Sequence, residues 1–124
     1  MAYPVEDCAR TAEVLRQAVA SVPASARAVR TTLRTLAREH EAAVKWHGYA
    51  EESGLSPEIV PAGGVGSGES IMLPAGRAEV RRVTESGVEF NVDGFWNWHT
   101  ISSRTAPMVV VTHALDDPGP KAVR

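Results

Sequence analysis

The period of the apolar positions changes near the middle of the chain, and the change separates a helical part from a strand part. In residues 6–22, Cys8, Ala12, Leu15, Val19 and Val22 recur at i, i+4, i+7, i+11 and i+14, one stripe of an amphipathic helix. Pro4 stands just before it. Pro23 ends it, because proline lacks an N–H and disfavours the α region for the residue before it. Residues 24–47 predict a second, longer helix. Val29, Leu33, Leu36, His40, Ala43 and His47 form one stripe, and Arg27, Arg30, Arg34, Arg38, Glu41 and Lys45 the opposite one. If the first helix stops slightly early, Ser21 is a candidate N-cap with Pro23 in the first turn; Gly48 is a candidate C′ residue, with residues 49–54 as a frayed extension. Two helices joined at a short Pro-containing turn suggest an αα-hairpin. Ser56-Pro57 repeats the pattern of a cap followed by proline and predicts a helical turn over 57–60.

Gly63, Gly64, Gly66 and Gly68 make residues 61–69 a glycine-rich connection, the clearest boundary in the chain. Beyond it, residues 70–113 read as β structure. Residues 70–73 form a short strand closed by Pro74-Ala75-Gly76, and residues 78–84 form a second. Alternation slips at Arg81-Arg82, the mark of a bulge or a twist. Glu85-Ser86-Gly87 is a turn, after which Val88, Phe90 and Val92 alternate cleanly with Glu89, Asn91 and Asp93. Asp93-Gly94 is a strong two-residue hairpin signal. In residues 95–102 Trp96 and Trp98 share one face, with Phe95 and Ile101 on the other. Residues 103–107 are a loop, 108–113 an apolar last strand, and 114–124 an extended tail. The expected class is α+β: an N-terminal helical hairpin, then a small antiparallel β meander or barrel-like sheet of four to five strands.

Composition narrows the reading. At 124 residues the chain is expected to form one domain with one modest core. A formal net charge of −2 points to neither nucleic acid nor membrane as a partner on global charge, so any such partner would have to use a local patch. Cys8 is the only cysteine, which excludes an intramolecular disulfide and the four-cysteine and two-cysteine, two-histidine zinc sites. No apolar run approaches a membrane span, and the N-terminus lacks the n- and h-regions of a signal peptide. A soluble chain made in the cytoplasm is the expectation.

No pattern specifies catalysis. His40 and His47 lie two helical turns apart, about 10 Å at the α-helical rise, too far for one metal ion on a straight helix. His40-Glu41 opens no H-E-x-x-H motif; the bland reading is histidines at the edge of a packed interface. His99 and His113 could meet across strands. There is no G-x-S-x-G elbow, and GGVGSG at 63–68 lacks the Lys-Ser/Thr of a P-loop. Neither catalytic residues nor metal ligands nor a cofactor is expected. The cations Arg27, Arg30, Arg34, Arg38 and Lys45 could track a phosphate backbone or an acidic partner, or could simply form a solvated face relieved by Glu41. Trp96 and Trp98 are candidate partner-binding residues unless the helices cover them.

Leu73-Pro74, Val80 and Val83, Gly87, Trp98, the run Val109-Val110-Val111-Thr112-His113, and then Asp117-Pro118-Gly119-Pro120 and Val123 stand in an order that resembles the head–tail connector (adaptor) proteins of tailed bacteriophages. The resemblance covers residues 70–124 and departs from the family at Ala114-Leu115, where those proteins carry Gly-aromatic. It implies a non-enzymatic structural subunit of the virion neck. Such subunits form a homo-oligomeric ring around the DNA channel, in contact with portal and tail-completion proteins and, by proximity, with DNA. The virion would then be its location, and without a phage origin the cytoplasm. The alternative is a small β-barrel-like binding module that uses the basic helix face for nucleic acid.

Overall fold

The computed structural model describes residues 2–74 and 76–113. Two helices, α1 (Val5–Ser21) and α2 (Arg27–Glu52), precede six strands: β1 (Leu55–Pro61), β2 (Ser70–Leu73), β3 (Gly76–Val83), β4 (Gly87–Val92), β5 (Phe95–Thr100) and β6 (Pro107–His113). The strands form one antiparallel sheet in the order β1-β6-β2-β3-β4-β5. The class is α+β, as the change of period predicts. Among the described residues the sheet has six strands rather than four or five, and it is open, with β1 and β5 at its edges. Only β2 to β5 make a meander; β6 returns to lie between β1 and β2.

The additional strand is the segment expected to be a helical turn at 57–60. It pairs residue for residue with β6, from Leu55 opposite His113 to Pro61 opposite Pro107. Pro57 and Pro61 are compatible with this because β1 is an edge strand, where a missing N–H need not break a ladder. Its outer side also takes a backbone contact, the Tyr3 N–H donating to the Ile59 carbonyl at 2.7 Å.

The helix boundaries shift in a related way. Ser21 closes α1 instead of capping α2, its hydroxyl donating to the Gln17 carbonyl. Gly48 lies inside α2, and the helix ends at Glu52, with Ser53 as its C-cap and Gly54 beyond it at φ +80°. Gly54 therefore serves as the left-handed residue that Gly48 was expected to be. Propensity allowed an early stop at Gly48, but packing carries the helix on: Ala50, one turn past His47, is fully buried. On the apolar stripe of α2, Val29 proves half exposed, because it precedes the segment that faces the sheet.

Each side of the sheet has its own core. Ile71, Leu73, Ala78, Val80, Val88, Phe90, Met108 and Val110 point to one side and are buried together with Ala62, Val65, Ile101 and Ala106 from the connections. The opposite side, through Ile59, Met72, Val109 and Val111, packs with Cys8, Ala43 and Ala50 of the helices. The glycine-rich connection is thus more than a flexible spacer. It contains a single turn of 3-10 helix at Ala62–Gly64, buries Ala62 and Val65, and is tied to residues 104 and 106 by backbone hydrogen bonds. The slip at Arg81-Arg82 is a bulge: the β3–β4 register shifts between Val80 and Arg82, so that Val80 and Val83 both contact the same cluster. The expected extended tail lies outside the described residues. Among those described, no helix is long and apolar enough to cross a membrane.

Candidate interaction site

Strand β5 begins at the hairpin that Asp93-Gly94 was expected to form. Asp93 takes φ 52° and Gly94 φ +87°, positive at both central residues as a type I′ turn requires, and the Gly94 N–H donates to Asn91 Oδ1 at 3.0 Å. Val92 faces Phe95 across this turn, and pairing continues to Gly87 opposite Thr100. Trp96 stands opposite Asn91 and Trp98 opposite Glu89. By this register both indoles lie on the helix side of the sheet. The helices, however, cover the β1, β6 and β2 half of that side, and the tryptophans lie beyond it. They remain 49% and 48% exposed, and Phe95 on the other side is 73% exposed. Helix packing therefore leaves the tryptophan pair uncovered.

Local contacts hold both rings in place. The Arg81 guanidinium stands 5.1 Å from the centroid of Trp96. Arg81 and Arg82 both approach one carboxylate, Glu89, at 3.7 and 3.1 Å. Trp98 packs over Gly87, which is buried beneath it and has no room for a Cβ. The bulge that delivers Arg81 was legible in the sequence; the two ring contacts were not, because they depend on which strand pairs with which.

A cleft of about 410 Å³ lies between α2 and the sheet, lined by Ala42, Trp46, Met72, Leu73, Ile101 and Met108 among others. At its rim Glu39 ties α2 to the β5–β6 connection. The Ser102 N–H donates to Glu39 Oε2 at 2.8 Å, and the Ser102 hydroxyl donates to Oε1 at 2.6 Å. His99 lines the same cleft half-buried; burial lowers its pKa below the usual value, and the neighbouring Glu39 carboxylate opposes that shift. The strands that carry His99 and His113 are not neighbours, since β2, β3 and β4 separate β5 from β6. His40 Nδ1 lies 2.9 Å from the Leu36 carbonyl, and His47 Nδ1 3.6 Å from Glu51. Among the described residues no cluster of His, Cys, Asp and Glu is arranged to hold a metal ion.

The basic stripe divides. Arg30 is half-buried and donates from Nη1 to the carbonyls of Val19 and Val22 at 2.9 and 2.8 Å, closing the C-terminus of α1. α1 has no basic residue in its own last turn, so a side chain from α2 supplies the positive charge that the helix end favours. Arg27, Arg34, Arg38 and Lys45 remain exposed, with Arg38 beside Thr35 and Lys45 5.1 Å from the Trp46 ring centroid. Glu41 is held below the usual carboxylate range by hydrogen bonds from Arg16, whose guanidinium spans both its oxygens at 2.9 and 2.7 Å. That fork joins α1 to α2 at the surface, so the carboxylate expected to relieve the stripe is engaged across the hairpin.

Comparison with protein-family models, curated proteins and solved structures finds no match to this chain.

Proposed function

We propose that this protein is a non-enzymatic assembly subunit that works through protein–protein contacts, with β5 as its contact surface. The supporting observation is the contrast between the two sheet edges. β1 carries two prolines and Glu58, and the N-terminal segment lies against it. β5 carries no proline and no charged residue, and it exposes three large aromatic side chains. An edge left this bare tends to attract another chain, and proteins usually blunt it. Its aromatic residues are of the kind that anchor interfaces.

The resemblance over residues 70–124 gives this reading a specific form: a connector subunit of a phage neck, forming a ring around the DNA channel beside portal and tail-completion proteins. The test is the mass of the native assembly, by light scattering and electron microscopy. A closed ring of many copies is the expected result, and a strictly monomeric protein that binds no virion protein would overturn the proposal.

A second reading rests on the exposed cations Arg27, Arg34, Arg38 and Lys45, which could follow a phosphate backbone. It predicts salt-dependent DNA or RNA binding that weakens when Arg27 and Arg34 become Glu. Arg30 is unsuited to this test because its charge closes α1. Binding unchanged in the double variant would remove the reading.

A further inference from the structure

We infer that the occupant of the β5 edge is a second copy of this chain, paired strand to strand about a twofold axis. The inference rests on the reading of β5 as a contact surface and names its partner.

The hairpin geometry says which backbone groups are available. Across a two-residue hairpin loop the flanking pair, here Val92 and Phe95, exchange both hydrogen bonds, and bonded and non-bonded pairs then alternate along the ladder. Asn97 and His99 therefore bond inward to β4. Trp96, Trp98 and Thr100 turn their N–H and C=O groups to the open edge. An edge of this kind selects a strand as its partner, since only a strand offers donors and acceptors at the matching spacing.

Charge selects which strand. Twofold pairing sets a strand antiparallel to itself, so a charged residue near the axis would face its own copy at close range, which is destabilising. β1, the other edge, carries Glu58 at its centre and two prolines, so pairing it with itself would set like charges together and leave N–H donors missing. β5, Phe-Trp-Asn-Trp-His-Thr, has no Asp, Glu, Lys or Arg. The half-buried setting of His99 favours its neutral form as well.

The register follows from the outward groups. With Asn97 on the axis, Trp96 of each copy faces Trp98 of the other, which gives two tryptophan pairs on one side of the joined sheet. Phe95 then faces His99 twice on the other side. Shifting the axis to Trp98 leaves one tryptophan pair and sets each remaining tryptophan opposite a threonine. Cross-strand aromatic pairs stabilise sheets, and the first register has more of them. The product is a continuous sheet running through both copies. Such a contact is isologous and closes as a dimer; a ring would need a further, head-to-tail contact elsewhere on the chain.

Position 97 tests the inference directly. Asn97 would face its copy as a non-bonded pair with Cα atoms about 4.5 Å apart, within the range that a disulfide spans. Full-length Asn97→Cys in a Cys8→Ser background is expected to oxidise to a disulfide-linked dimer, while Glu85→Cys in the same background stays uncrosslinked. Asn97→Lys and Asn97→Asp each place like charges on the axis and are expected to halve the mass of the dimer. Mixing the two restores it as a heterodimer, which a variant that had merely misfolded could not do. Crosslinking together with restoration supports the inference whether the wild-type particle is a dimer or a larger ring. A ring in which Asn97→Cys does not crosslink overturns the inference and leaves the proposed function standing. A wild-type chain that stays monomeric and captures no other strand overturns both. If removing residues 114–124 is what first permits crosslinking, the chain's own tail is the occupant, and the inference fails.

Discussion

The indole of Trp98 fills the space that a side chain at Gly87 would need. A Cβ placed on Gly87 would lie 2.7 Å from Trp98 Nε1 and closer still to Cε2 and Cζ2. The φ of Gly87 is not positive, so the glycine serves close approach rather than a special backbone conformation. An alanine there would force the ring outward or the strands apart. Gly87→Ala should cost about 1–3 kcal/mol, the usual range for overpacking, measured by urea unfolding. With Trp46 and Trp96 changed to Phe, the emission of Trp98 should also shift to the red. Unchanged emission would show that the indole does not rest on Gly87.

The left-handed backbone at Gly94 is a separate requirement. Its φ of +87° is one that L side chains rarely adopt, and it closes the hairpin that begins β5. Gly94→Ala should destabilise the protein by about 1–2 kcal/mol, the order of cost for a side chain in the left-handed region. Asp93→Asn, which keeps a residue tolerant of φ 52°, should leave stability nearly unchanged. Equal losses in the two variants would contradict the turn assignment.

Arg30 should matter for stability more than its place on a basic stripe suggests. Arg30→Ala removes two hydrogen bonds from a charged donor to the end of α1. A loss of about 1.5–3 kcal/mol is expected, the range for hydrogen bonds to charged groups. Arg34→Ala, at an exposed position, should stay within about 0.5 kcal/mol of wild type. Thermal or urea unfolding of the pair would separate a structural arginine from a solvated one.

His99 makes stability depend on pH in a stated direction. Burial lowers its pKa in the folded protein below the usual 6.5. The unfolded chain therefore takes up the proton first as pH falls, and the folded state is disfavoured. The contribution is fully present above about pH 6.5 and declines as pH drops through the folded value. Comparing urea midpoints at about pH 8 and about pH 5.5 should show a fall in wild type that is smaller in His99→Gln. An equal fall in both proteins would place the cause elsewhere.

The acid side is governed by a different pair. Arg16 holds the Glu41 pKa below its usual 4.5 by hydrogen bonding. Because the folded value is depressed, the pair supports α1 against α2 above the usual value and loses that support as pH falls through the folded one. In Arg16→Ala, Glu41 should titrate nearer its ordinary value by NMR. An unmoved titration would mean that the fork does not form in solution. Both side chains are exposed, so little change in overall stability is expected.

Local sequence determined much of this protein, wherever the signal was carried by neighbours along the chain. Cys8, Ala12 and Val19 mark the buried face of α1 by spacing alone, and Val88 and Phe90 mark the inward side of β4. Asp93-Gly94 names its own turn, and the slip at Arg81-Arg82 names its bulge. In each case the physical cause acts within a few residues. Tertiary structure decided what spacing could not carry. Ser56-Pro57 has the chemistry of a helix start, but β6 offered it a ladder, and the segment became an edge strand. Gly48 has the chemistry of a helix stop, yet burial of Ala50 carried the helix past it. Arg30 has the spacing of a solvated stripe, and only the return of α1 beside it turned that charge to two carbonyls. The tryptophan pair belongs to the same class: its side of the strand follows from alternation, whereas its exposure follows from where the helices end on the sheet. Those contacts join residues far apart in sequence, and their energies arise only once the chain has folded back on itself.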